Sequence, residues 1–162
     1  MAVNPYASLL NDPSEINDPD QIIKSTPVKI ENLLAALGPE KLNVQPAPGK
    51  WSVRDILSHL ADTEIVFAFR LRQALAQDKH TIQPFDQDKF ALRYSHYDAR
   101  IAAAVFAAVR QWNVALIAGL TEEDYDKPLN HPERGDMKLR TVLETMAGHD
   151  RNHLKQLEVF AV

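Results

Sequence analysis

Met146-Ala147-Gly148-His149-Asp150-Arg151-Asn152-His153-Leu154 is the stretch on which the reading of this chain turns. Around it, apolar residues recur at Leu139, Val142, Leu143, Met146, Leu154, Leu157 and Phe160. Spacings of three and four are those of an amphipathic helix, so the sequence predicts a helix over about residues 138–159. His149 and His153 are four apart, which sets both imidazoles on one face, one turn from each other. Two imidazoles so placed can reach a single metal ion, although helical histidine pairs also merely pack or cap. A metal site needs a third ligand from elsewhere in the chain.

Working outward, the same periodicity predicts three further helices. The first covers about residues 20–37, with Ile22, Ile23, Ile30, Leu33, Leu34 and Leu37 inward and Gly38-Pro39 ending it. Pro27 either starts that helix or sits inside it. The second runs from about Val53 to Ala76, with Val53, Ile56, Leu57, Leu60, Phe67 and Leu71 inward. Ser52 is its N-cap, and Asp55 stands where a capping box needs an acceptor. His59 lies on the flank of this stripe, where a side chain enters a groove between helices; it is the candidate third ligand. The third helix covers about residues 95–120, with Ile101, Val105, Ala108, Trp112 and Leu116 expected to face inward. Trp51 and Trp112 are both read as core residues.

Between these elements, residues 1–20 hold Asn-Asp-Pro twice and read as an N-terminal arm. Residues 77–94 form a connection too long for a simple turn, and so a crossover or a lid. Residues 121–138, with Asn130-His131-Pro132-Glu133-Arg134-Gly135-Asp136, are rich in turn formers. Four long helices without a convincing strand predict an all-α, four-helix bundle built as a single domain over residues 1–162.

Composition limits the function classes. The 162 residues carry a net charge of −4 and no dense Lys/Arg block, which argues against nucleic acid and anionic membrane as partners. No apolar run suggests a membrane span, and the N-terminus lacks signal-peptide blocks, so a cytoplasmic protein is expected. The absence of cysteine excludes disulfides, thiolate ligands and a protein thiol nucleophile.

Several stretches in order resemble the DinB/YfiT-like family of metal-dependent enzymes. They are Pro48-Gly49-Lys50-Trp51-Ser52 leading to His59-Leu60-Ala61-Asp62, then Ile82-Gln83-Pro84-Phe85-Asp86. Arg110-Gln111-Trp112, His131-Pro132-Glu133 and His149-Asp150-Arg151-Asn152-His153 follow, so the likeness spans roughly residues 45–160. The resemblance implies an up-down-down-up bundle, which makes the long second connection a crossover. It also implies one metal ligand on the second helix and two on the fourth, matching His59, His149 and His153. YfiT-like members carry an aromatic before the first histidine of the last helix and further histidines between the pair. Here Gly148, Arg151 and Asn152 occupy those positions, so the pocket floor differs.

Three neutral imidazoles leave a divalent ion with positions for water or substrate. Zinc or nickel is the first expectation, with manganese and iron also compatible with imidazole. Such an ion activates water for hydrolysis or holds a thiol as thiolate. A thiol would have to come from a small-molecule cosubstrate, and the resemblance includes bacillithiol- and mycothiol-dependent transferases. Asp62 is expected to orient an imidazole or pair with an arginine, Arg110 to reach a carboxylate or a substrate anion, and Gly148 to keep room beside His149. No general base is identified. The partners expected are a small-molecule substrate and a second copy of the chain. The competing class is a non-catalytic bundle: a metal sensor, store or stress-related scaffold.

Overall fold

The computed structural model describes residues 18–161; the arm expected over 1–20 falls almost wholly outside them. Four long helices dominate: α1 (Pro19–Ala36), α2 (Val53–Ala76), α4 (Ala99–Ile117) and α6 (Leu139–Glu158). Two short helices, α3 (Gln87–Ala91) and α5 (Glu122–Tyr125), lie in the connections.

Side-chain packing fixes the directions of the long helices. In one apolar cluster, Ile30, Leu34 and Leu37 from the end of α1 meet Val53, Ile56 and Leu57 from the start of α2. Ala99, Ala102 and Phe106 from the start of α4 join them, with Leu154 and Leu157 from the end of α6. The second cluster reverses every end: Ile23 of α1 with Phe67, Leu71 and Ala74 of α2, Ile117 of α4, and Leu139, Val142, Leu143 and Met146 of α6. Helices α2 and α4 therefore run parallel to each other and antiparallel to α1 and α6, which is the up-down-down-up order. α2 packs on both α4 and α6, and α1 on the same two.

Parallel α2 and α4 explain the long connection. A helix of 24 residues is about 36 Å long, and the chain must travel that distance back before α4 can start. The return path is partly ordered, with α3, a 3₁₀ turn at Tyr94–His96 and a two-residue strand, β1 (His80–Thr81).

Strands are the first departure from the sequence reading. β1 pairs in parallel with β2 (Pro128–His131), which forms an antiparallel hairpin with β3 (Gly135–Lys138). The turn formers expected over 121–138 are thus a hairpin. Arg134 N–H donates to the His131 carbonyl at 3.1 Å, and Gly135 turns the chain at φ 76°, where a side chain would be strained. Strands this short carry too little alternation to be read from sequence. Ile82 and Leu129 are buried in the second apolar cluster, so the sheet closes the end of the bundle where α2 stops and α6 starts.

Helix α4 is the second departure. Ile101 is 66% exposed and Trp112 63%, while Ala99, Ala102, Phe106, Arg110, Asn113 and Ile117 are buried. The helix turns its polar residues inward because partners wait there, as described below. Trp112 is no core residue: it lies outside, with the Arg72 guanidinium 3.7 Å from its ring. Contrary to the expectation from sequence, α4 is long and apolar enough to cross a membrane on length and composition alone. In the fold it is one of the four bundle helices.

Local sequence choices set the site helices. Ser52 caps α2 with a reciprocal capping box: its hydroxyl accepts from Asp55 N–H at 3.2 Å, and the Asp55 carboxylate accepts from Ser52 N–H at 3.1 Å. Pro27 lies inside α1. Having no N–H, it leaves the carbonyl of Ile23, four residues earlier, without its helical donor. Arg110 Nη1 donates to that carbonyl at 3.0 Å.

Candidate metal centre

His59 from α2 and His149 and His153 from α6 converge between the two helices. Their ring centroids lie 4.9 Å (His59–His149), 4.7 Å (His59–His153) and 4.4 Å (His149–His153) apart. One ligating atom of each falls within 4.8 Å of the others. His59 and His153 are fully buried and His149 half-buried. Among the described residues no fourth His, Asp or Glu joins this cluster.

Burial keeps the rings neutral. It lowers His59 to about 3, with His153 adding to the effect, and lowers His153 to about 4 against the raising influence of Gln156. His149 is pushed well down by burial, then by His153, His59 and Arg110. Neutral imidazole is the form that ligates metal.

Outer contacts aim the rings. His153 Nδ1 donates to Gln156 Oε1 at 3.0 Å, which leaves Nε2 as the lone-pair nitrogen. Tyr94, buried in the 3₁₀ turn of the crossover, brings its hydroxyl to 3.4 Å from His59 Nδ1. His59 Nε2 and His149 Nε2 then face each other at 2.9 Å. Nitrogens around a tetrahedral ion with bonds of 2.0–2.1 Å stand about 3.3 Å apart, so a small outward shift admits one. The donor set, its neutrality and its spacing fit a divalent ion. Trp51 walls the cluster, its ring 4.9 Å from His59 and stacked at 6.3 Å on His153. Phe67 meets His149 edge-on at 6.0 Å.

Arg110 is fully buried behind the histidines, held by two carboxylates. Nε donates to Glu64 at 2.9 Å and Nη2 at 2.6 Å. Nη1 and Nη2 both reach Asp150, the latter at 3.0 Å. Asn113 Nδ2 also donates to Glu64, at 2.7 Å. Burial opposes the Arg110 charge, but Asp150 and Glu64 outweigh it and raise its pKa. Burial raises the Asp150 carboxyl while Arg110 pulls it down. Of the two roles foreseen for Arg110, the structure gives the carboxylate.

Asp62 is half-buried, with its pKa raised by burial; the group against His59 Nδ1 is Tyr94 rather than Asp62. Gly148 is buried in α6 directly before His149. His131 serves turn chemistry, its Nδ1 accepting from Glu133 N–H at 3.2 Å. His80 binds Gln77 at 2.8 Å, and His96 is exposed.

Sequence reading missed Glu64, Asp150, Tyr94 and Gln156. The first two carried a signal. Glu64 sits between Leu60, Phe67 and Leu71, and Asp150 between Met146, His153 and Leu157, each on an otherwise apolar helical stripe. Charges there demand an opposite charge, and Arg110 is the one on the buried face of α4.

Comparison with known proteins gives the chain its relatives. The sequence model of the DinB superfamily matches residues 23–157. A protein of Oceanobacillus iheyensis named "putative metal-dependent hydrolase" is 26% identical over 145 residues, covering 89% of this chain and 80% of that one. A Bacillus cereus protein of the same name is 28% identical over 134 residues, covering 82% and 78%. The solved structure of YfiT from Bacillus subtilis, described as a probable metal-dependent hydrolase with an unusual four-helix bundle topology, superposes with a TM-score of 0.79. It is 18% identical over 99% of this chain and 87% of its own, a likeness of fold. With most of its length matched, this chain belongs to the DinB superfamily.

Proposed function

We propose that this protein is a cytoplasmic metal-dependent enzyme in which His59, His149 and His153 hold one divalent ion, zinc or nickel before manganese or iron. The observation that carries this is the convergence of three neutral imidazoles, two fully buried and one half-buried, with no fourth protein ligand among the described residues. A closed structural site is ordinarily completed by a fourth side chain, whereas an open position suits catalysis. When bound, such an ion supplies Lewis acidity, making water or a small thiol nucleophilic near neutral pH. The relatives' name favours hydrolysis. Thiol transfer is the finer alternative, and because the chain has no cysteine the thiol would be a separate small molecule.

The protein's own residues supply orientation and exclusion of water. Tyr94 and Gln156 fix two rings, and Trp51 and Phe67 cover the flanks. Gly148 directly precedes His149; if its missing side chain leaves room for substrate there, Gly148→Ala keeps full metal content while slowing turnover. Asp62, with its raised pKa, is the carboxyl nearest in sequence to His59 and the candidate for a supporting role.

Elemental analysis of purified protein tests the reading, followed by assays with ester and amide substrates and with a thiol plus an electrophile. One ion per chain is expected, falling to well under half in His59→Ala and His153→Ala, with helical circular dichroism retained. Full occupancy in both variants would place the ion elsewhere. An ion bound without any turnover or exchangeable position would favour the sensor or store.

A further inference from the structure

A second cluster of charge lies where the hairpin meets α2. Arg70 is half-buried there, and its Nε is shielded from solvent with no hydrogen-bond partner among the described residues. Nη2 donates to the Gln83 carbonyl at 3.2 Å. Two aromatic rings flank the guanidinium, with Cζ 6.0 Å from the Phe67 centroid and 5.6 Å from that of Phe85.

Among the described residues neither Arg70 nor Arg134 makes an ion pair, although each other arginine buried in the bundle has acceptors. Backbone pairing brings the hairpin to this point: next to Gln83, the Ile82 N–H donates to the Asn130 carbonyl at 2.8 Å, beside His131, whose own carbonyl accepts from Arg134 N–H at the exposed hairpin tip. Burial first, and then the charge of Arg134, lower the Arg70 pKa to about 10. Both guanidiniums are also felt by His131, which burial depresses first, with only Glu133 opposing them. Because His131 Nδ1 accepts from Glu133 N–H, its hydrogen sits on Nε2, a further donor. The rings stabilise the Arg70 guanidinium but leave its shielded Nε–H unspent and its charge unpaired, and an anion would complete both.

Phe67 links this cluster to the histidines. Its ring lies 6.0 Å from Arg70 Cζ and 6.0 Å from the His149 ring. We propose that Arg70, Arg134 and His131 form a binding site for a small oxyanion, the carboxylate or phosphate group at one end of the substrate whose other end reacts at the three histidines. The anion site itself stands on the Arg70 cluster alone; its assignment to substrate rests on the proposed function. Guanidinium recognises such groups by paired N–H donors as well as charge, so the site discriminates anionic from neutral substrates.

The test is heteronuclear NMR of the metal-free protein at neutral pH, following the Arg70 Nε–H signal, assigned by its loss in Arg70→Lys. Sodium succinate and sodium phosphate are titrated against sodium chloride at matched ionic strength. A saturable shift with succinate identifies a carboxylate site, and one with phosphate a phosphoryl site. Arg134→Gln, a change at an exposed hairpin tip, should weaken the affinity roughly tenfold, and Arg100→Gln, at an exposed position of α4, should leave it unchanged. A linear, chloride-like response to both anions overturns the proposal, as does equal affinity in Arg134→Gln. Metal content separates the two readings: Arg70→Lys should retain its ion. Wild-type protein that takes up no ion yet saturates with an anion would sink the metal reading and leave the anion site standing.

Discussion

At the scale of single residues, the histidine cluster is defined by what burial does to protonation. His59 and His153 stay neutral in the fold down to about pH 3 and 4, whereas in the unfolded chain they protonate near pH 6.5. Between those values the unfolded state binds more protons, so stability rises with pH across the window. The stability of the metal-free protein is full above about pH 6.5 and falls as pH drops towards 4, at about 1.4 kcal/mol per pH unit for each such histidine. Urea unfolding at pH 7 and pH 5 measures the slope, and His153→Gln should reduce it. A stability independent of pH across that range would mean the rings protonate freely in the fold.

Elements follow from a few local choices. The capping box at Ser52 starts α2 two turns before His59 and thereby sets the height of that ring. Ser52→Ala removes an acceptor from a fully buried cap and should cost about 1–2 kcal/mol, read as a lower urea midpoint with an unchanged m-value. Ser52→Thr should recover most of the loss. In the hairpin, Gly135 has φ 76° and open space where a Cβ would stand. Gly135→Ala therefore meets no clash and carries only the backbone cost of the left-handed region, about 1 kcal/mol. If the hairpin positions Arg134 for an anion, that variant also loosens succinate or phosphate binding, while its metal content stays constant.

The whole molecule is two apolar clusters separated by a polar layer. Thr26, Glu64, Arg110, Asn113 and Asp150, one or more from each long helix, lie between the Ile30–Leu60–Phe106–Leu154 side and the Ile23–Phe67–Ile117–Met146 side. Its charges fix which face α4 presents and, through Asp150, the rotation of α6 that carries His149. Arg110→Met leaves Glu64 and Asp150 buried without a cation and should cost about 3–5 kcal/mol. Adding Glu64→Gln and Asp150→Asn should recover much of it, since neutral amides need no counter-charge. Thermal unfolding of the single and triple variants decides between them. A single variant as stable as wild type would show that the layer is hydrated rather than sealed. Removing the metal should leave the helical fold intact, because these two clusters, and not the ion, supply the stability of a domain this size.

The amino-acid sequence by itself determined the four long helices, their ends at Ser52 and Gly38-Pro39, the inward faces of α1, α2 and α6, and the histidine pair on one turn of α6. All of these follow from local periodicity and capping, which act over a few residues. Family resemblance placed His59 opposite that pair and supplied the bundle order. Only the tertiary structure decided which face of α4 is inside. Ile101, Val105 and Trp112 make the more apolar stripe, yet the face bearing Arg110 and Asn113 is buried, because Glu64, Asp150 and the carbonyl freed by Pro27 lie across from it. It also decided the short strands, whose pairing of His80 with Leu129 joins residues far apart in sequence. Periodicity ranks faces by hydrophobicity one helix at a time. A buried ion pair is stable only as a set contributed by several elements, so its preference appears once those elements are packed together.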